Sequence, residues 1–147
     1  MKICVATYGS RGDVQPIIAL CLALRSVGHE ILLAAPPENR SWIVSYDLGF
    51  ASLGDPFMAF AERHPDVHHL PGAAPFFQFL RDQARIQFRT LPALVRGADL
   101  VLGCSLVFGL PSVAEALGVS YRYMVFCPQV FRSRSHPSLF VRNHRMP

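Results

Sequence analysis

The hydrophobic period of the chain changes abruptly within its first 28 residues. Residues 2–8 (KICVATY) form a short, β-branched apolar run that is typical of a strand buried on both faces of a sheet. The glycines of residues 9–12 indicate a tight turn, and from Asp13 apolar residues recur at helical spacing as far as Gly28, which suits a helix end. Pro16 fits the first turn of this helix, where its missing N–H costs little. A strand, a turn and a helix in direct succession therefore open the chain.

Strands and helices continue to alternate with short connections, and this order predicts an α/β fold with a doubly wound parallel sheet. Residues 54–72, with their Pro and Gly punctuation, are predicted to be a loop, and residues 128–147 show no periodicity. The predicted strands are residues 30–35, 50–53, 99–104 and 119–126, and the predicted helices are residues 38–48 (ending at Gly49), 76–89 with an extension over 91–95, and 111–117.

The composition excludes a disordered chain, because 51% of the 147 residues are hydrophobic and only 16% are charged. Strands buried on both faces, or an apolar surface that meets a partner domain, would account for the mean hydropathy of +0.28. The densest apolar run, residues 17–24, is shorter than the ~20 residues of a membrane-spanning helix. The N-terminus also lacks the pattern of a secretory signal, so a cytoplasmic protein is predicted.

The pattern of charged, histidine, serine and cysteine residues argues against nucleic-acid, metal, nucleophile and disulfide sites. The net charge of +4 comes with no nucleic-acid reader motif, so a solvated face, a domain interface or an anionic ligand explains the arginines and no nucleic-acid partner is predicted. The three histidines between residues 64 and 69 have no nearby ligand to complete a tetrahedral metal site. Ser105 lacks the G-x-S-x-G pattern of a nucleophile. The cysteines lie in apolar stretches without a CxxC pair, which favours buried free thiols over zinc or disulfides; they are Cys4, Cys21, Cys104 and Cys127.

The turn after the first strand is the strongest candidate site. In an open α/β sheet, ligands bind beyond the carboxyl ends of the strands, where the following helix also presents its free N–H groups. The turn lacks the G-x-G-x-x-G and Walker A patterns, and the Asp13 carboxylate would repel a pyrophosphate. Asp13 has two interpretations, an N-cap of the helix or a general base that faces the cleft. The residues alone leave both open.

Residues 9–16 (GSRGDVQP) resemble the start of the bacterial and fungal sterol glycosyltransferases and of the glycopeptide glycosyltransferases. The resemblance spans the chain and is most specific over residues 1–37. Its other carriers are Ala19-Leu20, Gly28-His29, Pro36-Pro37, Cys127-Pro128 and residues 143–147 (NHRMP).

This resemblance implies that residues 1–147 are the N-terminal, acceptor-binding half of a GT-B fold, built on a Rossmann-like sheet. It implies an inverting transfer of a sugar from a UDP- or TDP-linked donor, with neither a metal nor a cofactor. Asp13 would be the general base, and Ser10, Arg11 and Gly12 would face the donor diphosphate. The chain contains nothing that resembles the C-terminal donor domain, so it is predicted to end mid-structure and to be inactive when isolated.

The expected acceptor is a small molecule or lipid with a hydroxyl group, such as a sterol or another natural product. Phe57, Phe76, Phe77 and His136 are its candidate contacts, although a helix face packed on the sheet would explain the same phenylalanines. Two alternatives belong to other classes. One is a non-catalytic subunit that completes a separate donor-binding chain or makes peripheral membrane contact, and the other is an unrelated Rossmann-like nucleotide binder.

Overall fold

The central feature is a five-stranded parallel sheet in a computed structural model that describes residues 1–65 and 73–126. The strands are β1 (Lys2–Tyr8), β2 (Glu30–Ala35), β3 (Gly49–Ser52), β4 (Leu100–Ser105) and β5 (Ser120–Met124), in the spatial order β3-β2-β1-β4-β5. The order reverses at β1, which pairs with β2 on one side and β4 on the other. This is the predicted doubly wound arrangement, in which a ligand is expected to bind at the carboxyl ends of β1 and β4.

The middle strand is buried on both faces, as its composition predicts. Ile3 and Val5 join the core beneath α1 (Arg11–Ser26) and α2 (Arg40–Val44). Cys4, Ala6 and Tyr8 point the opposite way, beneath α4 (Ala73–Val95) and α5 (Leu110–Ala116). Because successive side chains of a strand alternate between faces, an unbroken apolar strand requires cover on both sides.

The first helix begins earlier than its apolar pattern predicts. It starts at Arg11 with Ser10 as the N-cap, so the interpretation of Asp13 as the N-cap is wrong: Asp13 is the third helical residue. Gly12 accordingly lies in the helix, and Pro16 lies beyond the first turn. The pattern missed this start because residues 11–13 are polar and carry no hydrophobic signal. Gly28 ends the helix as predicted, with a φ of +88°.

The segment between β2 and β3 is less helical than predicted. Residues 37–39 form a 3₁₀ turn, and α2 covers only Arg40–Val44. Arg25 closes the turn that follows by donating hydrogen bonds to the carbonyl oxygens of Tyr46 (2.6 Å) and Asp47 (2.9 Å). Gly49, predicted as a helix end, instead begins β3, where an added Cβ would lie 2.8 Å from the Ile31 carbonyl oxygen.

A short helix, α3 (Phe57–Arg63), lies within the segment predicted to be a loop. Its N-terminus is capped from another part of the chain, because Glu38 Oε1 accepts hydrogen bonds from the N–H groups of Phe57 (2.8 Å) and Met58 (3.2 Å). Phe60 anchors it by stacking on Phe79 of α4, with ring centroids 4.0 Å apart. Neither a distant cap nor a tertiary stack leaves a local signal in the sequence, so the prediction was wrong here.

Two buried glutamines one turn apart attach α4 to the loops at the carboxyl ends of β3 and β4. Gln83 accepts from the Asp55 N–H (2.9 Å) and donates to the Asp55 carboxylate (2.8 Å). Gln87 donates to the Leu106 carbonyl (2.8 Å) and accepts from the Gly109 N–H (3.1 Å). Both side chains are fully buried, so these bonds replace all contact with water.

A Gln87→Met substitution is expected to lower the free energy of opening of α4 and the loop after β4 by about 2 kcal/mol, because it leaves a buried N–H and a carbonyl unpaired. Native-state hydrogen exchange in the native gene product measures this quantity. Gln78→Met is the matched control: Gln78 lies on the same helix but is exposed, and a change within about 0.5 kcal/mol is expected. Equal effects of the two substitutions would contradict the role given to Gln87.

The described cysteines confirm the prediction of buried free thiols. Burial raises the pKa of Cys4 and of Cys104 to about 11, and burial together with the neighbouring thiols raises that of Cys21 to about 12. Cys127 lies outside the described residues. Across residues 1–65 and 73–126, no helix combines the length and the apolar character that crossing a membrane requires.

Candidate active site

The Asp13 carboxylate lies where the carboxyl ends of β1 and β4 meet, and both of its oxygens are held. Oδ2 accepts hydrogen bonds from the backbone N–H of Ser10 (2.8 Å) and from its hydroxyl (2.9 Å). Oδ1 accepts one from the hydroxyl of Ser105 (2.7 Å). The bond from the third helical residue back to the N-cap amide is that of a capping box, so the carboxylate also stabilises the start of α1.

The turn that carries this carboxylate requires glycine. Gly9 has a φ of +151°, and a Cβ at this position would overlap with Oδ2 of Asp13. The Thr7 hydroxyl, buried at the end of β1, donates to the Asp13 carbonyl oxygen (3.1 Å). Backbone and side chain of Asp13 are thus both fixed by the strand and turn that precede it, and Asp13 itself remains partly exposed.

Ser105, the last residue of β4, is the site residue that sequence reasoning missed. It was considered only as a nucleophile, whereas its hydroxyl donates to Asp13. Its φ of +55° is unusual for a residue other than glycine. The sequence did contain a signal. Ser105 directly follows the predicted strand 99–104, and the carboxyl end of such a strand is where a doubly wound sheet binds its ligand.

The three residues predicted to face a donor diphosphate differ in their surroundings. Ser10 is hydrogen-bonded to Asp13, and Gly12 is exposed as the second residue of α1. Arg11 is also exposed, but its guanidinium lies 4.8 Å from the ring centroid of Trp42 in α2, and its Nε is 3.4 Å from Gln15 Oε1. Its charge is therefore directed along the outside of α1.

The predicted acceptor phenylalanines belong to an aromatic cluster that extends from Tyr8 across α3 and the first turns of α4. Phe57 meets Tyr8 edge-to-face with ring centroids 6.0 Å apart, and Phe76 lies 6.2 Å from Phe60. Phe77 is different, because 63% of its surface is exposed. Packing within the cluster thus accounts for the side chains of Phe57 and, in large part, Phe76, whereas Phe77 is available for contact with an acceptor.

The fully buried Tyr8 joins this aromatic cluster to the carboxyl end of the sheet. Its hydroxyl donates to the Asp55 carbonyl oxygen (2.7 Å), and burial, with the charges of Asp55 and Glu38, raises the pKa of Tyr8 well above its usual range. His64 closes the other end, 4.7 Å from Phe60 between ring centroids. His136, the remaining predicted acceptor contact, lies outside the described residues, as do His68, His69 and residues 143–147.

The chemistry open to this site is proton transfer at a carboxylate. An ionised carboxylate offers about four lone-pair sites, so the hydrogen bonds from Ser10 and Ser105 leave room for one more donor. The partly exposed Asp13 can therefore accept a hydrogen bond from the hydroxyl group of a ligand. A hydroxyl that donates to a carboxylate is placed to lose its proton as its oxygen attacks.

Comparisons with known proteins agree with this fold. Residues 3–133 match the glycosyltransferase family 28 N-terminal domain. The chain is 33% identical to glycosyltransferase GtfE of Amycolatopsis orientalis over 87% of this chain and 31% of that protein. It is 34% identical to a sterol 3-beta-glucosyltransferase of Candida albicans over 95% of this chain and 9% of that protein.

A solved structure supports the same assignment. Glycosyltransferase SsfS6 of Streptomyces sp. SF2575, complexed with thymidine diphosphate, is similar with a TM-score of 0.56 and 27% identity, over 84% of this chain and 38% of that chain. This chain spans between 9% and 38% of the length of these relatives. Fold, turn and family match thus agree with the resemblance in residues 9–16, and the chain belongs to the glycosyltransferase family 28 N-terminal domains.

Proposed function

We propose that this domain is the acceptor-binding half of an inverting glycosyltransferase, with Asp13 as the general base. The observation that carries the proposal is the Asp13 carboxylate, which Ser10 and Ser105 hold in a partly exposed position with hydrogen-bonding capacity to spare. Asp13 takes the proton of the acceptor hydroxyl while the acceptor oxygen attacks the anomeric carbon of the donor. The bond between that carbon and the diphosphate oxygen breaks, and the nucleoside diphosphate leaves with the electron pair. A single displacement of this kind inverts the anomeric configuration.

The start of α1 supports a donor diphosphate near Ser10 and Gly12, provided that donor groups of a second domain offset its repulsion by the Asp13 carboxylate. The first N–H groups of a helix have no partner within it, and the positive end of the helix dipole favours an anion. Ser10 and Gly12 lie at this end, and α1 is 16 residues long. The similar SsfS6 structure holds thymidine diphosphate, which favours a TDP- or UDP-linked donor. The rest of the donor site would come from a second domain, for which the longer relatives have sufficient length.

The aromatic cluster supports an apolar acceptor. Phe77 on α4 and Met58 on α3 expose 63% and 44% of their surfaces on the two helices that the cluster spans, and both side chains are available for contact with an apolar acceptor. The name of one relative points the same way, since it is a sterol 3-beta-glucosyltransferase.

The test is a transfer assay with the native gene product that carries this sequence. UDP-glucose and TDP-glucose are each paired with cholesterol, vancomycin aglycone and, as a polar control, glycerol. We expect cholesterol or the vancomycin aglycone to yield a β-glucoside from the α-linked donor, with release of the matching nucleoside diphosphate, and glycerol to yield none. Mass spectrometry identifies the product, and the anomeric proton coupling gives its configuration. An α-glucoside product, or no product from any pairing, contradicts the proposal.

A further inference from the structure

The two oxygens of Asp13 have different surroundings. Oδ2 accepts two hydrogen bonds, both from Ser10, whereas Oδ1 accepts one, from Ser105. Since each carboxylate oxygen offers about two lone-pair sites, the unused site is on Oδ1. The oxygen that can take a proton from a ligand is therefore the one that Ser105 holds.

We propose that Ser105 is a positioning residue that aims the free lone pair of Asp13 Oδ1 at the acceptor hydroxyl. The inference rests on the proposed function, in which Asp13 is the general base. A carboxylate bound only through Oδ2 keeps rotational freedom about its last torsion, which is broad for aspartate. The bond of 2.7 Å from the Ser105 hydroxyl removes that freedom by fixing the second oxygen.

The backbone of Ser105 supports a role for its hydroxyl. Its φ of +55° is a conformation in which glycine has no steric penalty and serine has one. Backbone stability alone would favour glycine at this position. What serine adds there is the hydroxyl, whose hydrogen bond goes to the carboxylate, and strain at a site of this kind points to function.

Several contacts hold Ser105 in this conformation. The next residue, Leu106, donates its N–H to the Tyr8 carbonyl at the end of β1 (3.2 Å) and accepts from the buried Gln87 (2.8 Å). Tyr123 of β5 donates its hydroxyl to the Ser105 carbonyl oxygen (3.3 Å). Neighbours on β1, α4 and β5 thus fix the backbone that carries the Ser105 hydroxyl.

Two other roles fit these contacts less well. A hydroxyl that is hydrogen-bonded to a carboxylate can act as a nucleophile, but attack by Ser105 would give a double displacement with retention, which the β-glucoside expected in the transfer assay excludes. A proton relay from Tyr123 to the Ser105 side chain has no path in these contacts, because the tyrosine hydroxyl donates to the Ser105 carbonyl oxygen. Positioning of Oδ1 is the role that agrees with both.

The test compares Ser105→Gly, Ser105→Ala and Ser105→Thr in the native gene product, with the donor and acceptor found in the transfer assay. Glycine relieves the strained φ and alanine keeps it, while both remove the hydroxyl. We expect both to lower kcat by roughly tenfold or more, with KM within about twofold, since each lacks one hydrogen bond to a charged group. The Tm of Ser105→Gly should be at or above the wild-type value, and that of Ser105→Ala at or below it.

Ser105→Thr separates positioning from stability. It keeps the hydroxyl but places a β-branched residue at positive φ, so its Tm should fall while it recovers most of the kcat that Ser105→Gly loses. If kcat instead follows Tm across the three variants, or if Ser105→Gly keeps the wild-type kcat, the proposal is overturned.

Asp13→Asn distinguishes failure of this inference from failure of the proposed function. A large loss of kcat in Asp13→Asn beside a wild-type kcat in Ser105→Gly removes the positioning role alone. A wild-type kcat in Asp13→Asn removes the general base, and the positioning role falls with it.

Discussion

An Asp13→Asn substitution is expected to lower kcat by about a thousandfold, the loss typical for removal of a general base. Asparagine matches aspartate in shape, and its amide oxygen can still accept the two hydrogen bonds from Ser10. Its amide nitrogen would then face Ser105, whose hydroxyl can accept as well as donate. The fold is thus expected to survive. Loss of a negative charge in the first turn of α1 should cost about 1 kcal/mol of stability.

The measurement is kcat at saturating donor and acceptor, with Tm as the check on folding. Asp82→Asn is the matched control, because Asp82 is an exposed aspartate on α4 whose contacts are with Arg85 (2.8 Å) and Gln78 (3.0 Å) on the same helix. Its kcat should remain within about twofold of the wild-type value, as for a surface change remote from the site. If Asp13→Asn kept its kcat as well, the base would have to be another residue.

Much of the fold follows from local patterns in the sequence. The short unbroken apolar run of β1 and the period of 3.6 in α1 are set by neighbouring residues, and Gly28 ends the helix through its own backbone preference. The helix α3 was missed because its cap, Glu38, and its packing partner, Phe79, are distant in sequence. Elements held by tertiary contacts leave no periodic signal to read.

The site was predictable to the extent that it lies on one strand, turn and helix. Asp13 had two competing interpretations in the sequence. The structure makes Ser10 the N-cap and gives Oδ2 of Asp13 a place in the capping box, whereas Oδ1 keeps a free lone pair, as the proposed general base requires. Ser105, 92 residues away, enters the site only because β4 pairs with β1. Strand order is a property of the whole sheet, and the run of residues around Ser105 does not contain it.

A Gly9→Ala substitution is expected to destabilise the domain by about 3 kcal/mol, from strain at positive φ plus overlap of the new methyl group with the Asp13 carboxylate. It should also lower kcat by roughly a hundredfold, because displacing a catalytic group by about 1 Å has that effect. Native-state hydrogen exchange of β1 and α1 in the native gene product measures the first quantity, and the transfer assay measures the second.

Two further variants isolate the contact with Asp13. Gly28→Ala carries a similar backbone penalty, since Gly28 has a φ of +88°, but an added Cβ there has no heavy atom within 4 Å. It should cost only about 1 kcal/mol and leave kcat unchanged. In an Asp13→Ala background, the carboxylate that the new methyl overlaps is gone and only the Cβ of residue 13 remains, 3.2 Å away, so the cost of Gly9→Ala should fall towards that value. An equal cost of Gly9→Ala in both backgrounds would mean that glycine is needed only for the backbone conformation of the turn. A lower cost in the Asp13→Ala background shows that Gly9 is required because the carboxylate occupies the space beside it.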